Sequence, residues 1–262
     1  MDFQLDGKRV FAGTGGRGRD PAAPAVLLLH GAGMDHTVFA LQARALAHHG
    51  RSVLALDLPG HGGSDGPALD TIGALADWVL RVAAACGIAR LRVAGHSMGA
   101  LAALETAARG SDRVDAAVLI GFAPEMRVHP DLLAAAGAGT HSAVELMTSW
   151  SFGAQGQLGA NPSPGLWLPG AALGLLERAD KQSLAVDLAA CDAYRGAADA
   201  AAKIRCPVLL LLGGEDRMTP AARGSAFARS LGNATVTLLP AVGHMVMIED
   251  PKAALAALRA FL

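Results

Sequence analysis

Gly95-His96-Ser97-Met98-Gly99 is the stretch whose reading decides the fold. It matches G-x-S-x-G, a strand-to-helix turn so tight that the central serine is held in strained backbone geometry with its hydroxyl presented outward. Both flanking elements are present. Leu91-Arg92-Val93-Ala94 reads as a short buried strand, and Ala100-Leu101-Ala102-Ala103-Leu104-Glu105 is a run of strong helix formers with no Gly or Pro until Gly110. Gly95 and Gly99 leave room where strand and helix crowd together. The alternative is a Gly-Ser turn without chemistry, which would come with no acid and no histidine in matching settings downstream.

Working outward, Ala25-Val26-Leu27-Leu28-Leu29 is a continuous apolar run, the pattern of a strand buried on both faces. It ends in His30-Gly31-Ala32-Gly33-Met34, and Val38 to His49 then reads as a helix stopping at Gly50. Ser52–Leu56 is the next strand, followed by the loop Asp57-Leu58-Pro59-Gly60-His61-Gly62-Gly63-Ser64. Leu69 to Cys86 carries apolar residues at helical spacing and stops at Gly87, and Ala116–Ile120 is another buried strand. Strand and helix in alternation predict βαβ units and a mainly parallel sheet. Upstream, Lys8–Ala12 reads as an early strand, and Gly13-Thr14-Gly15-Gly16-Arg17-Gly18 fits G-x-G-x-x-G. That fingerprint must open a helix, whereas Arg19-Asp20-Pro21 and Pro24 follow here, so the stretch reads as loop.

At Pro124 the rhythm breaks. From Glu125 to about Lys203 the sequence offers helical pieces, Asp131–Ala136, Ser142–Trp150 and Ala171–Leu188, with a proline-containing loop through Gly153–Gly170. Trp150, Phe152, Trp167 and Tyr194 fall in this segment, although aromatic residues make up only 4% of the chain. Aromatics concentrated in a helical insert suit a cap over an apolar pocket, with Trp150 and Trp167 as candidate lining residues. The alternative is a satellite helical layer using them for its own core. The alternation then resumes with a strand at Pro207–Leu212, a helix from Thr219-Pro220 to Leu231, a strand at Ala234–Leu239 and a last helix at Pro251–Leu262.

A serine hydroxyl attacks only when a neighbouring imidazole takes its proton, and that imidazole needs an acid to fix its tautomer. In a parallel sheet such groups belong on loops at the carboxyl ends of strands. Gly213-Gly214-Glu215-Asp216-Arg217-Met218-Thr219-Pro220 is such a loop, with Asp216 its best-placed carboxylate and Glu215 a rival. After the next strand comes Pro240-Ala241-Val242-Gly243-His244-Met245, which places His244 on the loop leading into the last helix.

Taken together, these motifs resemble the α/β-hydrolase superfamily over nearly the whole chain, and the order Ser97, Asp216, His244 is the one expected of its triad. Some members of that superfamily place the acid after the strand that precedes the cap, which makes Glu125 a weaker rival to Asp216. The resemblance implies an α/β fold with a mainly parallel central sheet, helices on both faces and an inserted helical cap. The expected division is a core over 1–124 and 204–262 and a cap over 125–203. It also implies an oxyanion hole made of the backbone N–H groups of Ala32 and Met98.

Of the 262 residues, 52% are hydrophobic and 17% charged, which excludes a disordered chain, and the net charge of −1 points to neither nucleic acid nor an anionic membrane surface. The expected partner is a small-molecule substrate; oligomeric state is not legible. Cys86, Cys191 and Cys206 lie far apart, which argues against a zinc site and a disulfide framework and makes them core residues. No apolar run approaches a membrane span, and the acidic N-terminus lacks a signal-peptide core, so a cytoplasmic location is expected.

Among the nine histidines, His96 is expected to pack beneath the elbow, while His30 and His61 stand in turn sequences. His36 is kept as a candidate substrate contact. Asp57 reads as a residue that pins its own loop. The expectation is a serine hydrolase acting on a small or medium apolar carboxylic ester through an acyl-enzyme, with no metal or organic cofactor. The alternatives are a C–C hydrolase, lactonase or perhydrolase of the same superfamily, or a small-molecule receptor with slow turnover. Dehalogenase and epoxide-hydrolase chemistry is disfavoured, because those relatives carry Asp where Ser97 stands.

Overall fold

The computed structural model describes residues 1–157 and 166–262. Its centre is an eight-stranded sheet with strands β1 (Asp2–Leu5), β2 (Lys8–Gly13), β3 (Ala25–Leu29), β4 (Ser52–Leu56), β5 (Leu91–His96), β6 (Val114–Ile120), β7 (Val208–Gly213) and β8 (Ala234–Leu239). Their order across the sheet is β1-β2-β4-β3-β5-β6-β7-β8. The two N-terminal strands run antiparallel, and every pair from β4–β3 to β7–β8 is parallel. Every residue of β3, β4 and β7 is buried. These strands contribute their whole apolar length to the core, as strands covered on both faces must. This is the α/β-hydrolase fold.

Outside the β6–β7 connection the α-helices are α1 (Ala40–His48), α2 (Ile72–Ala85), α3 (Met98–Arg109) and α10 (Ala221–Ala228), with α11 (Val246–Glu249) and α12 (Pro251–Phe261) following β8. Between β6 and β7 lie α4 (Pro130–Gly137), α5 (His141–Ser151), α6 (Ala154–Gln157), α7 (Leu168–Arg178), α8 (Lys181–Ala193) and α9 (Ala197–Ala201). No strand occurs among the described residues of this insertion, and no described helix is long and apolar enough to cross a membrane.

Three sequence expectations need correction. The helix expected at Ala171–Leu188 is two helices, broken at Ala179. Asp180 starts the second by accepting the Gln182 N–H at 3.3 Å, an N-cap inside an otherwise helical run. The chain also has a strand, β1, that went unread: Asp6 and Gly7, both at positive φ, turn it into β2. An Asp-Gly pair between short strands is the turn that such a hairpin needs. Thirdly, the loop expected through Gly153–Gly170 contains α6 and the start of α7, and its residues 158–165 lie outside the described ones. The glycine-rich run after β2 is loop as read, with Gly15 and Gly16 at positive φ.

Candidate active site

Ser97 stands between β5 and α3 with φ 53° and ψ −119°, one of two non-glycine residues of the described chain at positive φ. Such a conformation costs on the order of 1–3 kcal/mol and persists only where the surroundings enforce it. They do so through the two glycines. A β-carbon at Gly95 would collide with the Gly99 carbonyl, and one at Gly99 with the carbonyls of Leu29 and His30 at the end of β3. The Ser97 N–H donates to the Ile120 carbonyl at 2.9 Å, which fixes the turn to the end of β6.

His244 reaches the same place from the far edge of the sheet. Its ring lies over Gly121, where a β-carbon would come within 3.1 Å of Nδ1. Asp216 Oδ2 lies 2.8 Å from His244 Nδ1, and both side chains are buried. A carboxylate on Nδ1 makes that nitrogen the protonated one and leaves the lone pair on Nε2. Asp216 is itself fully engaged: Oδ1 accepts the N–H groups of Met218 and Thr219, at 2.9 and 2.8 Å, and Oδ2 the Thr219 hydroxyl at 2.6 Å. Burial alone would raise its pKa. The charge and hydrogen bond of His244, with the Thr219 donors, outweigh this and hold the carboxyl below its ordinary range.

His96 is fully buried below this pair, its ring centroid 4.7 Å from that of His244. Its Nε2 donates to the His244 carbonyl at 3.0 Å, while Nδ1 has no hydrogen-bond partner. Burial, reinforced by the neighbouring His244, pushes its pKa down to about 3, so it stays neutral.

The His30–Gly33 loop lies against the serine: a β-carbon on Gly31 would sit 3.3 Å from Ser97 Cβ. Ala32 and Ser97 line one cavity. Met98 is the first residue of α3, so its N–H has no intrahelical acceptor. Gly33 N–H donates to Asp187 Oδ2 at 2.9 Å, and the same oxygen lies 2.8 Å from His61 Nε2. The other nitrogen of His61, Nδ1, faces the Pro59 carbonyl at 3.0 Å. Acceptors at both nitrogens favour the doubly protonated form. Burial opposes that charge, yet the Asp187 contact prevails and raises the pKa.

The loop carrying His244 is gripped by the insertion. The N–H groups of His244 and Met245 both donate to the Ser151 carbonyl at the end of α5, at 2.9 and 3.1 Å. Buried Glu249 accepts the Gly153 and Gly243 N–H groups on Oε2, at 2.8 and 3.1 Å, and that of Met245 on Oε1 at 3.1 Å. Burial raises its pKa despite these donors.

The cavity in front of Ser97 measures about 550 Å³, within the range of small-molecule sites. Met126, Leu132, Met147, Trp150, Leu188 and Cys191 supply apolar walls; Arg127, His129 and Arg217 stand on its exposed rim. Trp150 takes the expected position, with the His129 ring edge-on at 5.5 Å. Cys191 is buried as expected of a core cysteine but also faces the cavity, and burial pushes its thiol pKa far up.

Two expected pocket residues are elsewhere. His36 is spent on Asp57, its Nδ1 2.8 Å from Oδ1, and its ring packs on Phe11 outside the cavity. Trp167 is 70% exposed, caps the start of α7 and does not line the cavity. Of the rival acids, Glu215 accepts the Ala154 N–H at 2.7 Å and Glu125 pairs with Arg127 at 3.5 Å. Asp57 pins its loop, accepting the His36 and Gly63 N–H groups. Asp35, His36 and Asp57 form a group with metal-ligand spacing among the described residues, but their donor atoms are occupied by these bonds and by the Thr37 N–H. Sequence reasoning missed Asp187, Glu249 and Thr219, each of which acts through a contact distant in sequence or through the local turn.

Residues 26–258 match the model of the alpha/beta hydrolase family. The chain is 32% identical to the pimeloyl-[acyl-carrier protein] methyl ester esterase of Chromobacterium violaceum, covering 90% of this chain and 91% of that protein. It is 26% identical to the (E)-2-((N-methylformamido)methylene)succinate hydrolase of Acinetobacter baylyi, over 90% and 89% of the two chains. Among solved structures, the enol-lactonase of Burkholderia xenovorans LB400 superposes with a TM-score of 0.88 at 26% identity, over 100% of this chain and 99% of that one. The chain belongs to the alpha/beta hydrolase family.

Proposed function

We propose that this chain is a serine hydrolase that cleaves a carboxylic ester through an acyl-enzyme on Ser97. The observations that carry this reading are the buried Asp216–His244 contact, which keeps the His244 lone pair on Nε2, and a serine held at positive φ on the wall of a largely apolar cavity. In the first half-reaction Ser97 Oγ attacks the ester carbonyl carbon and its proton passes to His244 Nε2. The tetrahedral oxyanion is held by the N–H groups of Ala32 and Met98, a contribution of ~3–4 kcal/mol per donor in comparable sites. The C–O bond breaks and the leaving alkoxide takes the proton from His244. Water then repeats the sequence: it gives a proton to His244 as its oxygen attacks the acyl carbon, and the acyl–Oγ bond breaks with return of that proton from His244 to Ser97 Oγ, which releases the acid. Asp216 stabilises the imidazolium at each stage. The insertion over 125–203 acts as the cap that walls the acyl site.

The likeness to an enol-lactonase favours a second reading within the same chemistry, a cyclic ester as substrate. A panel of p-nitrophenyl esters of increasing acyl length together with enol-lactones, run on the wild type and Ser97→Ala, tests both. The expected result is turnover by the wild type and a loss of about 10⁴-fold or more in the variant. Full activity in Ser97→Ala would overturn the reading. A folded wild type that cleaves no ester or lactone would turn attention to C–C substrates or a receptor role.

A further inference from the structure

We infer that the substrate of this site carries a carboxylate remote from the scissile carbonyl, held at the cavity rim by Arg217 and Arg127. This rests on the hydrolase reading above and deepens it. The chain as a whole is nearly charge-balanced, with 22 Lys and Arg against 23 Asp and Glu. The cavity is not: Arg127 and Arg217 line it, and no Asp or Glu does among the described residues. Both guanidinium-bearing residues are exposed, and they come from different parts of the chain, one just after β6 and the other on the loop after β7.

Arg217 has no carboxylate within ion-pair distance among the described residues, and residues 158–165, Leu-Gly-Ala-Asn-Pro-Ser-Pro-Gly, contain no acid. Its two neighbours in sequence are committed elsewhere, Asp216 to His244 and Thr219, and Glu215 to Ala154. Arg127 meets Glu125 at 3.5 Å through Nε, with both side chains about half exposed. Such a solvated pair is weak and is readily exchanged for a better-placed anion. A guanidinium offers a planar fork that matches a carboxylate, and two of them on a low-dielectric rim concentrate anions at the entrance. The rest of the lining that Ser97 shares is largely apolar, with Met126, Leu132, Met147 and Leu188 among it. The cavity therefore fits a molecule with an ester at one end, an aliphatic stretch in the middle and an acid at the other. The expected substrate class is the monoester of a dicarboxylic acid, or its cyclic counterpart.

The test compares mono-p-nitrophenyl adipate with p-nitrophenyl hexanoate, which share chain length and differ in the distal acid. It uses the wild type, Arg217→Gln, Arg127→Gln and the double variant. The wild type is expected to prefer the acid ester by about tenfold or more in kcat/KM, chiefly through KM. That preference should shrink as ionic strength rises, fall in each single variant and vanish in the double variant. A wild type that is indifferent to the acid, or a preference that survives in the double variant, would overturn the inference. Calorimetric binding of the same two esters to Ser97→Ala, with and without both arginine substitutions, reads the anion site independently of turnover. Tighter binding of the acid ester that is lost with the arginines supports the inference even if no ester is cleaved, and equal binding of the two esters overturns it.

Discussion

Asp187, on a helix of the insertion, accepts the backbone N–H of Gly33 at 2.9 Å although 154 residues separate them. Gly33 adjoins Ala32, so the insertion is bonded directly to the loop proposed to hold the oxyanion. Asp187 is 1% exposed and its other partner is the buried His61 ring. Asp187→Ala leaves the Gly33 N–H and the buried His61 ring without their acceptor, and is expected to cost about 1–3 kcal/mol in chemical denaturation. Asp187→Asn keeps the volume but loses the charge. In that variant kcat is expected to fall by about tenfold with KM little changed, because loop position matters most when the oxyanion forms. An unchanged kcat in a folded Asp187→Asn protein would separate this contact from the chemistry.

Glu249 performs the corresponding task for His244. Its carboxylate holds the N–H groups on both sides of that histidine and that of Gly153, at the entrance to α6. Glu249→Gln turns an acceptor-only group into one that must point an NH₂ at a backbone donor. The variant is expected to lose about 1–3 kcal/mol of stability and to lower kcat more than it raises KM. Steady-state kinetics beside a denaturation curve distinguishes displacement of His244 from simple unfolding.

Two buried histidines contribute to the acid limb of stability. His30, desolvated and beside His61, is lowered to about 4, and His96 to about 3. Both remain neutral in the folded protein and take up a proton on unfolding below about pH 6.5. The unfolded state thus binds more protons, and each contributes about 1.4 kcal/mol of stability per pH unit as pH rises from its folded value to 6.5. His36 and His61 act in the opposite sense. Their raised values, driven for His36 first by the Asp57 hydrogen bond, give stability present below 6.5 that is lost as pH rises through the folded pKa. In an NMR titration between about pH 5.5 and 8, the His30 and His96 rings are expected not to titrate, whereas His36 titrates with a midpoint above 6.5. A normal titration of His96 would contradict the burial argument.

What the sequence made legible was local. The apolar runs Ala25–Leu29 and Ala116–Ile120 could only be strands buried on both faces, and the two glycines around Ser97 announced a turn that the backbone adopts. The segment after Pro124 was recognisable as an insertion because alternation stopped there. What stayed hidden depended on direction or distance. Aromatic content drew attention to Trp150 and Trp167 equally, yet only the first faces the cavity, because composition says nothing of where a side chain points. His36 follows the His30–Gly33 loop in sequence but is captured by Asp57. Asp187 and Glu249 look like ordinary helix acids until the fold brings Gly33 and Gly153 to them. The arginines of the rim ran against the apolar reading of the pocket, which rested on the large side chains of the insertion alone.

The most direct measurement is active-site titration with a fluorophosphonate, followed by mass spectrometry of the intact chain and of its peptides. The account predicts one adduct per chain, on Ser97, with hydrolytic activity lost in proportion to labelling and no adduct in Ser97→Ala. Labelling elsewhere, or turnover that persists after Ser97 is fully modified, would contradict it.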